Sequence, residues 1–176
     1  MTQQDEQIMA LALTEARIAL EAGEFPVGCV LVQGGQVIGH GHRQNSKGRL
    51  SNELDHAEVI TLRNLQREQP KIDCSQLTVY STMEPCLMCY STLLLSGIRR
   101  FVWAYEDIMG GGTALPLEQL APLYQEMEVE LVPNILRKES LTLFSIFFQN
   151  YSYWKNSMLA EYTLNQYQMM MQPHEH

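Results

Sequence analysis

The chain has 176 residues, with 20 acidic side chains against 12 Lys and Arg, a formal charge of −8 and a pI of about 5.1. One domain's length with 45% apolar and 18% charged residues supplies a single real core, which excludes a disordered chain and a disulfide-stapled miniature domain. The acidic balance also argues against broad, sequence-independent nucleic-acid binding, because that needs a basic face to displace counterions from phosphates.

The opening MTQQDEQ carries acids where a secretory leader has a basic segment, so no export is expected. From Asp5 to Glu21, Gln7, Thr14, Arg17 and Glu21 recur at helical spacing among Ile8, Leu11, Ala12, Ala16, Ile18, Ala19 and Leu20, predicting a helix with a narrow wet stripe that ends at Gly23. VGCVLV (27–32) and QVIGHG (36–41), joined by Gly-Gly, read as a β-hairpin. A polar loop, Arg43 to Asp55, leads into a helix over His56 to Arg67. LTVYST (77–82) is a strand, Pro85 stands where a first helical turn begins, and Cys86 to Ser96 is the next helix. Arg100 to Tyr105 is a strand, Gly110 to Gly112 a flexible loop, and Met127 to Val132 a short strand. Asn134 is the expected N-cap of a long final helix.

This order predicts an α/β fold, a sheet layered by helices, with the domain over residues 1–150 and a C-terminal helical tail over 151–176. The tail is rich in Tyr and Met, which suits a helix packed on something, and its end, QPHEH, reads as frayed. The apolar run from Leu141 to Phe148 is far below the roughly 20 residues that span a bilayer, so no membrane role and a cytoplasmic location are expected.

The chemistry concentrates in His56-Ala57-Glu58 and, thirty positions on, Pro85-Cys86-Leu87-Met88-Cys89. Zinc prefers imidazole nitrogen and thiolate in tetrahedral geometry, and three protein ligands leave a fourth position for water, which distinguishes a catalytic site from a structural one. Residues i and i+2 do not share a face within a helix body. His56 and Glu58 therefore converge on one ion only at a helix start, and the same logic puts Cys86 and Cys89 at the start of theirs, where the macrodipole favours thiolates.

The pairing of H-x-E with P-C-x-x-C resembles the cytidine deaminase-like superfamily of zinc deaminases. The likeness extends to FPVGCVLV, Asn45 eleven residues before the His, DHAEVITLR, VYSTMEPCLMC and VELVPNILRKESLTLFSIFF, which resemble the tRNA adenosine deaminase and guanine deaminase branch over roughly residues 5 to 150. The resemblance implies a three-layer α/β/α fold on a central mixed five-stranded sheet, a homodimer, and hydrolytic removal of an exocyclic amine from a nucleobase. It implies that His56, Cys86 and Cys89 bind one Zn²⁺ per chain. Glu58 is then the catalytic residue, taking a proton from the attacking water, protonating a ring nitrogen and then the leaving amine. Asn45 would hydrogen-bond the base, Val27 and Gly28 would lie under it, and the backbone near Glu84 and Pro85 would contact the attacked group.

On substrate the chain departs from that pattern. FFQNYSYWKNS carries only Lys155, and YEDIMGGG supplies Glu106 and Asp107 with no Lys or Arg, so an RNA backbone finds little attraction there. Arg43, Lys47, Arg49, Arg99, Arg100, Arg137 and Lys138 remain for phosphate contacts. The pattern points to tRNA adenosine deamination to inosine, with deamination of a small free base or nucleoside (guanine, cytosine or adenosine) and an inactive zinc-binding dimer subunit as the alternatives; Glu58 speaks against the last. Tyr151, Tyr153 and Trp154 suit either packing against the body or a partner copy, or stacking on a base as a lid, with Trp154 the candidate contact. A lone C-x-x-C after a strand also fits a redox site. Cys29 reads as a small core residue, and His40 and His42 as strand-end surface residues.

Overall fold

The computed structural model describes residues 3–172; most of the expected frayed end, residues 173–176, lies outside them. Helix α1 (Gln3–Glu21) is followed by the hairpin β1 (Gly28–Gln33) and β2 (Gln36–His42), then α2 (Ala57–Glu68), β3 (Leu77–Met83), α3 (Leu87–Leu95), β4 (Arg100–Tyr105), a short α4 (Pro122–Gln125), β5 (Glu130–Val132), α5 (Arg137–Asn150) and α6 (Met158–Met171). The sheet order is β2-β1-β3-β4-β5. The β1 strand pairs antiparallel with both β2 and β3, whereas β3–β4 and β4–β5 are parallel, so the sheet is mixed and five-stranded as expected.

Strand alternation divides the core between two faces. Val30 and Val32 of β1, with Val102 and Ala104 of β4, pack against Ile8, Met9, Ala12, Leu13 and Ala16 of α1. Cys29 and Leu31, with Phe101, Trp103 and Tyr105, turn to the other face and meet Leu62 and Leu65 of α2 and Leu93 and Leu94 of α3. Because both faces are covered, β1 and β4 read as nearly continuous apolar runs, while the edge strand β2 is largely open. The wet side of α1 is broader than the sequence predicts: Leu11 and Ile18 are exposed, and Asp5 is buried, accepting from the Tyr80 hydroxyl at 2.8 Å and pairing with Arg100 Nη2 at 3.1 Å. A helix lying on one sheet face buries only the stripe that touches it.

Gly28 is where α1 and β1 approach most closely. A Cβ there would stand 2.1 Å from the Ala12 carbonyl oxygen and 2.5 Å from the Ala16 nitrogen, so only glycine admits the helix at this depth. The expected N-cap at Asn134 is corrected: Asn134 and Leu136 both have positive φ, 67° and 55°, and α5 begins at Arg137 after this left-handed double turn. The expected strand from Met127 is confined to Glu130–Val132. His40 and His42 each place Nδ1 2.7 Å from the Glu15 carboxylate, tying β2 to α1.

The C-terminal segment is packed onto the body. Phe25 sits at the centre of an aromatic cluster with Phe144, Phe147 and Tyr153 at centroid distances of 5.1, 5.3 and 5.5 Å, and Leu159 and Ala160 of α6 are buried in the same core. Glu106, after β4, accepts from Arg137 Nε at 2.7 Å and from the Tyr162 hydroxyl at 2.7 Å, clasping α5 and α6 together.

Candidate active site

His56 is the N-cap of α2 and Cys86 the N-cap of α3, so two helix starts face one point, and Glu58 and Cys89 stand in the first turns behind them. His56 Nδ1 lies 3.5 Å from Cys86 Sγ and 3.4 Å from Cys89 Sγ, and the three ligand atoms all fall within 4.8 Å of one another. A tetrahedral zinc with Zn–S of about 2.3 Å and Zn–N of about 2.0–2.1 Å spaces N and S about 3.6 Å apart, which these distances match. The donor set, one imidazole and two thiolates, is zinc chemistry. His56 Nε2 points away from the thiols, with Glu53 Oε2 at 3.8 Å, beyond hydrogen-bond distance.

Of the two thiols, Cys86 is the one poised as a thiolate. Cys86 is pushed down to about 4 by a hydrogen bond from Cys89, with His56 adding to the effect, while Cys89, the donor, is raised in turn. Burial works against a charged His56, but the Cys86 hydrogen bond and the Glu58 charge outweigh it and raise its pKa. Glu58 is 3% exposed, and burial holds its carboxyl above the ordinary carboxylate range. Its oxygens accept from Ser81 Oγ at 3.1 Å and face Cys89 Sγ at 3.5 Å. A buried carboxyl with a raised pKa beside a metal-ligand set is suited to carrying a proton back and forth.

The loop expected to be flexible instead braces this turn. Gly111 bridges Cys86, Gly112 N donates to the Pro85 carbonyl at 2.9 Å, and a Cβ on Gly112 would meet Leu87 N at 2.7 Å. Glycine here lets the 110–112 backbone lie flat against the residues that carry the ligands.

A cavity of about 200 Å³ opens over the centre, lined among others by Val27, His56, Glu58, Met83, Glu84, Cys86 and Trp154. Of the residues singled out in the sequence, the structure brings His56, Glu58, Cys86, Val27, Glu84 and Trp154 to this cavity; Cys89 lies buried behind Cys86. Asn45, Gly28 and Pro85 are not on its wall. Asn45 is in a left-handed conformation and its Nδ2 donates to Asp55 Oδ2 at 2.7 Å, Gly28 faces α1, and Pro85 supports the 110–112 loop. Tyr151 stacks on Phe147 rather than on the cavity, whereas Tyr153 and Trp154 both line it.

Sequence reasoning did not assign cavity roles to Arg43, Glu53 and Asp107. Arg43 read as a candidate phosphate contact and Glu53 as part of a polar loop, and no spacing marks either as lining a cavity. Several expected phosphate contacts are already engaged inside the chain: Arg100 with Asp5 and Glu130, Arg137 with Glu106, and Arg99 with the carbonyls of Leu94 and Ile98.

The family model for the cytidine and deoxycytidylate deaminase zinc-binding region matches residues 2–105. The chain is 31% identical over 146 residues to the tRNA-specific adenosine deaminase of Bacillus subtilis, covering 83% of this chain and 89% of that one. It is 34% identical over 146 residues to the enzyme of the same name from Haemophilus influenzae, covering 82% and 83%. A solved tRNA:A34 deaminase superposes with a TM-score of 0.64 at 28% identity, over 77% of this chain and 96% of that one. The guanine deaminase of Nitrosomonas europaea, at 20% identity and a TM-score of 0.65 over 81% and 83%, shares the fold. With the three ligands spaced for zinc at the head of a buried glutamate, the chain belongs to the cytidine and deoxycytidylate deaminase zinc-binding family and is a zinc-binding deaminase.

Proposed function

We propose that the protein hydrolyses the exocyclic amine of adenine in a tRNA, giving inosine and ammonia. The observation that carries the chemistry is Glu58, buried within 3.5 Å of a metal-ligand thiol at the floor of a cavity the size of one heterocycle; the relatives named as tRNA-specific adenosine deaminases support the substrate. His56, Cys86 and Cys89 would hold the zinc, which when bound would supply Lewis acidity beside Glu58 and ease deprotonation of the attacking water. Glu58 takes one proton from the attacking water and delivers it to the ring nitrogen beside the amine-bearing carbon, then takes the second proton from the newly added hydroxyl and passes it to the amine, so that ammonia leaves as the C–N bond breaks and the carbonyl forms. Ser81 fixes the carboxyl by its hydrogen bond, and Val27, Phe25 and Met83 provide an apolar wall that excludes bulk water. Val27, Glu84 and Trp154 contact the base in this reading, while Asn45, Gly28 and Pro85 act through the loops and strand behind the wall.

The protein acts as a homodimer in the cytoplasm in this reading. Leu50, Leu54 and Leu87, exposed on the loop and helix that carry the site, supply apolar surface for a second copy, and the thiolate pair suits a reducing compartment. Among the described residues no helix is long and apolar enough to cross a membrane.

A second reading, deamination of a small free base or nucleoside, is favoured by one observation: Tyr153, Trp154 and Leu159 wall the cavity, and they bring no phosphate-binding cation. Ammonia release from the zinc-loaded protein separates the two. Turnover confined to tRNA and falling steeply with salt supports the first reading. Salt-independent turnover of a free base without action on tRNA replaces it with the second, and Trp154→Ala then raises KM for that base.

A further inference from the structure

Arg43 is the single Lys or Arg among the cavity-lining residues, and its side chain is only 2% exposed. Nη2 donates to the Asn52 carbonyl at 2.6 Å and faces Glu53 Oε2 at 3.3 Å. Nη1 has no partner, and it is the one buried side-chain nitrogen or oxygen so left among the described residues. Arg137 over Tyr105 is the cation–π pair of the described residues, so no ring compensates Arg43 either. An orphaned guanidinium donor is costly to bury and marks a place where a partner is missing.

The other polar groups of the wall are provided for. Glu84 accepts from the Thr113 hydroxyl and from Asp107 N at 3.1 Å, Asp107 accepts from Gly110 N at 2.9 Å and Met109 N at 3.1 Å, and Glu58 accepts from Ser81. The wall thus carries four carboxyl groups, Glu53, Glu58, Glu84 and Asp107, together with Arg43, the residue that holds the unsatisfied donor. A phosphate brought to that donor meets like charge on several sides, whereas a neutral lone pair does not. The volume of about 200 Å³ lies below that of pockets for drug-sized ligands and suits a bare heterocycle.

We propose that Arg43 is a specificity-determining residue: its free Nη1–H donates to a neutral acceptor on the bound base, a carbonyl oxygen or an unprotonated ring nitrogen, on an edge other than the one that carries the amine. This rests on the deaminase reading of the cavity. Glu53, whose side chain is 61% exposed, is the movable member of the arrangement, held at the mouth by the Tyr153 hydroxyl at 2.8 Å. In this proposal the incoming base displaces the Glu53 carboxylate from Nη2, and the guanidinium, buried in the ligand-free protein, turns Nη1 toward the base. Discrimination then follows from the buried donor, since a base lacking the acceptor leaves it unpaired.

The test titrates the zinc-loaded Glu58→Gln protein calorimetrically with adenosine and its 1-, 3- and 7-deaza analogues, free and placed in a stem-loop RNA, and with guanine against 2-aminopurine, which lacks the carbonyl. Loss of one acceptor weakens binding by about tenfold to a hundredfold, and that penalty disappears in the added Arg43→Met background. The deaza series locates a ring-nitrogen acceptor and the guanine pair a carbonyl. Since Arg43→Met also releases Asn52, Arg43→Lys, which keeps the charge, is measured beside it. Equal binding of every analogue overturns the proposal, as does a penalty unchanged in both Arg43 variants, or a 5′-phosphate that tightens binding while no base acceptor matters. Binding without acceptor dependence leaves the deaminase reading standing; failure of every base and RNA to bind overturns both.

Discussion

Glu58→Gln separates chemistry from architecture. Glutamine matches glutamate in shape, keeps an oxygen to accept from Ser81 Oγ at 3.1 Å, and leaves His56, Cys86 and Cys89 untouched. Zinc content should therefore equal that of the wild type. What is lost is the proton carrier, and general acid–base catalysis is worth roughly 10²–10⁴ in rate, so kcat should fall by that factor, about 3–5 kcal/mol on the barrier. Stability of the metal-free protein should move the other way. Burial raises the folded-state pKa of Glu58 above its ordinary 4.5, so the folded protein holds this proton more tightly than the unfolded chain. The penalty is absent at acid pH, grows as pH rises through the ordinary carboxylate range, and is complete above the folded value. At neutral pH the metal-free variant should melt at or above the wild type, with the difference vanishing as pH is lowered to 4.5 and below. Coupled ammonia detection, metal analysis and melting against pH read the three quantities. A kcat within tenfold of the wild type, or loss of zinc from the variant, refutes the role.

Gly28→Ala drives a methyl into the α1 backbone at Ala12 and Ala16, so the helix must lift; a loss of about 3 kcal/mol, or roughly 6–12 °C in Tm, is expected, and an unchanged urea midpoint contradicts the packing account. Chelation of zinc should abolish turnover and remove about 4 kcal/mol of stability relative to the protein at a free zinc concentration a thousandfold above Kd, lowering Tm accordingly; Cys86→Ser should mimic it, and a Tm indifferent to metal argues against a preformed centre. Burial pulls the Glu106 carboxyl upward, but Arg137 and Tyr162 outweigh it and hold its pKa below 4.5. The clasp is thus fully present above pH 4.5 and lost as pH falls through the folded value, so amide exchange in α6 should accelerate there, and Glu106→Gln should remove that pH dependence.

The metal set was legible in the sequence through its resemblance to the H-x-E and P-C-x-x-C pattern of zinc deaminases; residues 56 and 58, two apart, reach one point only at a helix start, and both helix starts are there. The two core faces were legible through apolar runs that only a doubly covered sheet requires. Asn134 misled because an Asn before a helical pattern signals a cap and a left-handed turn equally well, and here Asn134 and Leu136 both take the turn. Gly110 to Gly112 misled in the same way, since the composition that permits flexibility also permits close backbone contact. Arg43 was invisible as a buried residue. Its burial is decided by Asn52 and Glu53 across a loop with no period, and by Tyr153 arriving from a hundred positions away.

The cavity is assembled from separate stretches of the chain. Residues 2–105, the stretch matched by the family, hold all three ligands and Glu58, whereas Tyr153, Trp154 and Leu159 come from beyond it and are moored to the body through Phe25. Mutation or recombination in the later segment can reshape what is admitted without reaching the reactive floor. Grafting residues 151–160 onto a relative is the direct way to transplant this part of the wall.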